Sequence, residues 1–163
     1  MRAPLDIAKA YDEHVWQVYA YFAYRVGVRA EAEDLTQTTF ERAVRSAHRY
    51  DPDRASVLTW LMTIAHNLLV DHYRRDRSRN QMDVEAEDDP RWGTVPLDPD
   101  LGMDPDLSAA LATLTPRDRE IVGLSYGADL SGPEIAELTG LSLANVQQVL
   151  SRSLRRMRQH LEG

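Results

Sequence analysis

SGPEIAELTGLSLANVQQVLS, residues 131–151, is the stretch on which the reading of this chain turns. Ser131 followed by Glu134 is a capping box, in which hydroxyl and carboxylate each satisfy a backbone N–H left orphaned at a helix start. Ile135, Ala136 and Leu138 supply a short apolar face. Gly140 follows where the chain must turn sharply, and glycine adopts positive φ at little cost. Ser142 then caps a second helix whose inner face reads Val146, Val149, Leu150, Ser153, Leu154, Met157 and Leu161. Two helices that cross closely need a small residue between them, and Ala136 occupies that place. Ile135 anchors the first helix, and Val146 buries the second against it. Together these positions predict a helix-turn-helix over residues 132–151. An ordinary helical hairpin would share several of them. Were the second helix to lie in a DNA major groove, Asn145, Gln147, Gln148, Ser151, Arg152 and Arg155 would face the bases. Glutamine suits adenine N6 and N7, and arginine suits guanine O6 and N7. Arg156 and Arg158, with Arg155, lie further along, where phosphate contact is expected.

Working outward, Thr115-Pro116-Arg117-Asp118 places a cap residue before a proline at the first helical position. Upstream of it the composition changes abruptly. Residues 83–107 carry 9 acidic groups and 1 basic one, with VEAEDDP and three further prolines. Proline blocks helix continuation and like charges repel, so this reads as an extended acidic linker or a plain tether. Residues 1–82 hold 12 basic and 11 acidic groups, and residues 108–163 hold 6 of each. The formal net charge of −7 is therefore a property of the linker, and the flanking parts are balanced. Local charge, not the sum, decides contact with a polyanion. Arginines cluster at Arg74, Arg75, Arg77 and Arg79, and again at Arg152, Arg155, Arg156 and Arg158.

The N-terminal part is helical by period. Tyr11, Val15, Val18, Phe22 and Val26 fall on one helical face, which ends near Gly27. A second helix is expected from near Glu31, with Leu35, Thr39, Phe40, Ala43, Val44 and Ala47 inward. A turn follows at Tyr50–Ser56. Val57, Trp60, Leu61, Ile64, Ala65, Leu68 and Leu69 then form the most regular apolar stripe in the chain. No β-alternation of comparable length competes. The expected fold class is all-α: two small helical domains, 1–82 and 108–163, joined by the acidic linker 83–107. Two polar stripes lie opposite the apolar ones: Asp34, Gln37, Thr38, Glu41 and Arg45 on the second helix, and Thr63, Asn67, Val70, Arg74 and Arg77 on the third.

Several functions find no support. No apolar run approaches the roughly 18 residues of a membrane span, and no signal peptide is visible at the N-terminus. There is no cysteine, hence no disulfide framework and no thiolate zinc site, which fits a cytoplasmic protein. The five histidines have no metal-ligand spacing, so neither a metal nor another cofactor is expected. Trp60 sits in an apolar stripe, which favours packing over stacking on a base. No nucleophile–base pair or glycine-rich phosphate loop appears, and no enzymatic activity is expected.

AEDLTQTTFERA (residues 32–43) resembles region 2.2 of the extracytoplasmic-function branch of bacterial sigma-70 factors. WLMTIAHNLLVDHYRR (60–75) resembles their regions 2.3 and 2.4, and residues 114–158 resemble region 4. The resemblance implies core RNA polymerase and promoter DNA as partners. Its region 2.2 docks on the β′ clamp helices, which implies Asp34, Leu35, Gln37, Thr38 and Phe40 as contacts. Its loop before helix three, with an asparagine, captures unstacked bases of the −10 element. That implies Tyr50, Asp51, Arg54, Ser56, Thr63 and Asn67, with Arg74 and Arg75 along the strand. Region 4 meets the β flap and reads the −35 duplex, which implies Asn145, Gln147, Gln148, Ser151, Arg152 and Arg155. The linker threads the RNA exit path, where Glu85–Asp89 would mimic RNA, and many relatives are held by an anti-sigma factor. This sequence departs from the pattern at Gln147 and Val149, where basic residues are usual, and at His66, where arginine is common. Fewer neutralised phosphates imply a shallower salt dependence of binding. A stand-alone helix-turn-helix regulator of operator duplex is the alternative.

Overall fold

A computed structural model describes residues 4–79 and 102–163, with side chains for 4–75 and 102–163. Glu85–Asp89 and the side chains of Arg77 and Arg79 lie outside the described residues. All regular structure among the described residues is helical. In chain order it comprises α1 (Ile7–Val26), α2 (Arg29–Ser46), a 3-10 turn (Ala47–Arg49), α3 (Val57–Arg79), α4 (Pro105–Leu111), α5 (Pro116–Val122), a π-helical turn (Gly123–Gly127), α6 (Gly132–Thr139) and α7 (Leu143–Glu162).

Local chemistry sets the boundaries. Asp6 caps α1 by accepting from the Lys9 N–H, and Gly27 ends it at φ 69°. Helix α2 starts at Arg29, two residues before Glu31, behind a Val28 that offers no side-chain cap. Thr115 accepts from the Asp118 N–H, and Pro116 opens α5. The capping box at α6 is complete in both directions, and Gly140 closes that helix at φ 78°. Ser142 accepts from the Asn145 N–H to start α7.

Helices α1, α2 and α3 pack around Val18, Phe22, Ala32, Ala43, Leu61, Met62 and Ala65, all fully buried. Met62 escapes the 3.6-residue stripe expected for α3, because α3 is covered on two sides. Tyr11 and Val44, expected inward, are 47% and 60% exposed. They sit where, among the described residues, no third element covers α1 and α2. Leu161, expected on the inner face of α7, is 53% exposed because α7 outruns its supports.

The C-terminal helices do not form a separate ball. Ile121, Leu124, Ala128, Leu130, Ile135, Val146 and Val149 join the same apolar core as α1–α3. A smaller cluster, Ala110, Leu111, Leu114, Val122 and Met157, packs α4 beneath α5 and α7. The common core depends on a close backbone approach. A Cβ at Gly127 would stand 3.3 Å from the Ala20 carbonyl carbon, and one at Gly123 3.2 Å from the Tyr24 Cβ. Glycine at both positions lets the π-helical turn lie flat on α1.

Gly140 isolates a backbone effect, since nothing lies within 4 Å of where a Cβ would go. Gly140→Ala is expected to cost about 1–2 kcal/mol through left-handed strain alone. Urea denaturation would read this as a lower midpoint at constant slope, and an unchanged midpoint would contradict it.

Candidate nucleic-acid and polymerase interface

The two faces of α7 divide cleanly. Val146, Val149, Ser153 and Met157 are buried, while Asn145, Gln147, Gln148, Ser151, Arg152 and Arg155 are exposed. The capping box and Gly140 set the angle at which α6 presents this helix. Arg152 is not wholly available, because its Nη2 donates to the buried Asp118 Oδ1 at 2.8 Å. Arg156 and Arg158 continue the exposed basic side.

On α2, Asp34, Gln37, Glu41 and Arg45 are exposed and Thr38 is half-buried. The Gln37 side chain donates to Glu41, and the Thr38 hydroxyl donates to the Asp34 carbonyl. Leu35 is half-buried and packs on the core. Phe40 is 6% exposed, its ring edge-on to Tyr11 with centroids 5.0 Å apart. It supports the stripe from beneath and offers little surface of its own.

The loop before α3 is braced from within. The Tyr50 hydroxyl donates to the Ala55 carbonyl at 3.0 Å, and its ring lies 5.4 Å from that of Trp60. Asp51 Oδ1 accepts from the Asp53 N–H, and its Oδ2 lies 3.9 Å from the Arg54 Nε. Arg54 projects outward. The Ser56 hydroxyl accepts from the Thr59 N–H, capping α3. Along α3, Thr63, Asn67, Val70, Arg74 and Arg75 are exposed, so the expected stripe is solvent-facing.

Sequence reasoning passed over the polar cluster between these faces. Glu120 on α5 is buried. Its Oε1 accepts from the Tyr21 hydroxyl at 2.7 Å and meets His66 Nδ1 at 3.0 Å. Its Oε2 lies 2.6 Å from Arg25 Nε, an ion pair set off the N–H axis so that no linear hydrogen bond forms there. Arg25 Nη1 donates to the Pro116 carbonyl at 2.7 Å, and Tyr73 hydroxyl donates to the Arg25 carbonyl. Burial alone would raise the Glu120 carboxyl. The His66 hydrogen bond, the Arg25 charge and the Tyr21 hydroxyl outweigh it and hold the carboxyl below the usual range. Arg119 beside it is buried with two nitrogens unpartnered, and burial together with Arg25 lowers it to about 10. The available signal was His66, a departure from the pattern that the resemblance set. A second crossing joins Thr59, whose hydroxyl donates to Glu134 Oε2, to the capping box of α6.

A helix-turn-helix with an exposed polar reading face, carried beside a three-helix unit with two exposed polar stripes, defines a DNA-reading transcription factor. The family model described as sigma-70 region 2 matches residues 10–79, and that described as sigma-70 region 4 matches residues 106–157. The chain is 29% identical to the ECF RNA polymerase sigma factor RpoE of Cereibacter sphaeroides, over 89% of this chain and 84% of that protein. It is 37% identical to the ECF sigma factor SigE of Mycolicibacterium smegmatis and 32% identical to BldN of Streptomyces coelicolor. Those matches cover about nine-tenths of this chain, but the chain spans only 59% and 57% of those two relatives. The fold is similar to that of RpoE in its complex with the anti-sigma factor NepR from Bartonella quintana. That match has a TM-score of 0.75 at 20% identity and covers 96% of this chain and 97% of the other. CnrH bound to the cytosolic domain of CnrY is similar at TM-score 0.64 and 22% identity, over 96% and 87% of the two chains. The chain belongs to the sigma-70 family of RNA polymerase sigma factors, in its ECF branch. Among the described residues no helix is long and apolar enough to cross a membrane.

A carboxylate held below its unfolded pKa stabilises the fold above about pH 4 and loses that contribution as pH falls through the folded value. Glu120→Gln is therefore expected to lower stability at pH 7 by roughly 3–5 kcal/mol, because Arg25 stays buried without its counter-charge. It should also flatten the loss of stability between about pH 5 and 3. Thermal unfolding across that range measures both, and an acid slope identical to the parent's would contradict the assignment.

Proposed function

We propose that this chain confers promoter recognition on core RNA polymerase by reading both promoter elements, using the faces just described. The observation that carries this is the exposure of Asn145, Gln147, Gln148 and Ser151 on the outer side of a helix whose inner side buries Val146, Val149, Ser153 and Met157. In this reading the domains divide as 1–82 and 108–163 about the linker 83–107. Helix α7 enters the major groove of the −35 duplex, with Gln147 and Gln148 toward base edges. Arg155 reads bases or phosphate, and Arg152 reaches DNA by exchanging Asp118 for phosphate. The exposed stripe of α2, with Asp34, Gln37 and Thr38 outermost and Leu35 and Phe40 beneath, docks on the β′ clamp helices. Region 4 meets the β flap.

At the −10 element, Arg54, Ser56, Thr63 and Asn67 meet the separated strand, and Arg74 and Arg75 follow its backbone. Tyr50 and Asp51 hold the loop in shape from within and line it toward the bases. The protein positions polymerase and stabilises melted DNA, with no bond-making chemistry of its own. It works in the cytoplasm, where its polymerase is, and an anti-sigma factor holds it inactive. The solved complex of similar fold that joins the sigma factor RpoE to the anti-sigma factor NepR supports that last point.

Run-off transcription from purified components tests the reading. Transcripts are expected only when core and this chain are both present. Tight duplex binding without polymerase would favour a stand-alone regulator instead. Gln148→Ala should change −35 preference at one or two positions and cost roughly 1–3 kcal/mol there. A loss equal across all promoter sequences would remove it from base readout. Asp34→Arg should weaken capture of core while the helical content stays the same. Unchanged capture would take Asp34 out of the interface.

A further inference from the structure

Among the arginines of α7, Arg152 is set apart by its partner. Its Nη2 donates to Asp118 Oδ1 at 2.8 Å, across 34 residues of chain. Arg155, Arg156 and Arg158, also exposed, have no acidic partner among the described residues. The two ends of the pair differ in freedom. The Asp118 side chain is 8% exposed and sits in the first turn of α5, whose start is fixed by the Thr115 hydroxyl and Pro116. The Arg152 side chain is 59% exposed and stands four residues after Gln148, on the same face of α7. An acid that is held still therefore grips a cation that is free to leave. A carboxylate offers a guanidinium the same two-oxygen acceptor that a phosphate does.

We infer that Asp118 is an internal stand-in for phosphate, which keeps Arg152 off the backbone of random duplex and yields it only where base contacts seat α7 in the groove. This rests on the promoter-reading function proposed above. The physics is a competition. Phosphate contacts supply nearly all of the affinity for DNA of arbitrary sequence. In such a complex no base contact holds α7 in one register. A loosely placed phosphate must then displace a fixed carboxylate, and the displacement leaves Asp118 buried without its counter-charge. On the correct element, bonds from Gln147 and Gln148 to base edges hold the helix still, and one phosphate stays beside Arg152. The exchange then takes place. Asp118 thus removes one phosphate contact from non-specific binding and leaves the specific complex its full set. Both partners belong to the helices around the helix-turn-helix, on α5 and α7, so the device acts whatever the three-helix unit is doing.

The slope of log affinity against log salt counts neutralised phosphates at about 0.9 each. Fluorescence anisotropy would measure it for the full chain on random-sequence duplex and for the chain with core polymerase on promoter DNA, each variant against its parent in the same assembly. Asp118→Asn keeps the shape and removes the charge. On random duplex its slope should steepen by about 0.9, so that a tenfold drop in salt strengthens binding roughly eightfold more than in the parent. On promoter DNA its slope should match the parent's, since Arg152 is on phosphate in both. Arg152→Gln should do the reverse, with no change on random duplex and a slope shallower by about 0.9 on promoter DNA. The double variant should return the parental slope on random duplex, which a mere loss of negative charge would not do. An unchanged random-duplex slope in Asp118→Asn, or a steepening that persists in the double variant, would overturn the inference and leave promoter selection standing. Arg152→Gln alters an exposed side chain and decides the matter even if Asp118→Asn fails to fold, because a shallower slope on random duplex would also overturn it. Should the parent with core show no preference for promoter over random DNA, the promoter-reading function falls and this inference with it.

Discussion

The ion pair of Glu120 with Arg25 constrains everything around it. A carboxylate taken from water needs its charge matched and its oxygens hydrogen-bonded, or the burial is strongly unfavourable. Tyr21 and His66, from α1 and α3, hydrogen-bond one oxygen, Arg25 matches the charge beside the other, and Arg25 also donates to the Pro116 carbonyl at the start of α5. Because the partners lie on the other side of the seam, the cluster fixes the register of α5 on α1. The π-helical turn then falls where two glycines are needed, and α6 is carried to where Glu134 meets Thr59. A buried pair of this kind adds little net stability over an apolar packing. What it adds is one allowed placement of the helix-turn-helix against the three-helix unit.

That placement leaves the functional faces open. The polar stripe of α2, the stripe of α3 and the outer side of α7 are all exposed, while the apolar sides behind them form one continuous core. Two family regions, each able to be named from its own motif, are thus physically one body. The division of labour between them is set by what faces outward.

Much of the fold was legible because it rests on local chemistry. The capping box at Ser131 and Glu134, the left-handed Gly140, the Ser142 cap and the Thr115-Pro116 start all act within four residues, and all stand as read. The inner faces of the helices followed from period except at Met62, where α3 is covered on two sides, and at Tyr11, Val44 and Leu161, which no described element covers. The exposure of Asn67, Gln147 and Gln148 followed from the same patterns. What was not legible is pairing at long range. Glu120 and Tyr21 are 99 residues apart, and neither carries a local mark of its partner. Asp118 caps nothing by its own side chain yet holds Arg152, 34 residues on. Nothing local to Gly123 or Gly127 marks that the Tyr24 side chain and the Ala20–Tyr21 backbone of α1 lie against them.

The distance between the two units in the free chain tests the single shared core most directly. Dyes on Ala8→Cys and Gln159→Cys, both exposed positions outside the proposed contact faces, would report it by energy transfer. The account predicts one narrow population, under about 40 Å. A broad or long distribution in the free chain would contradict it.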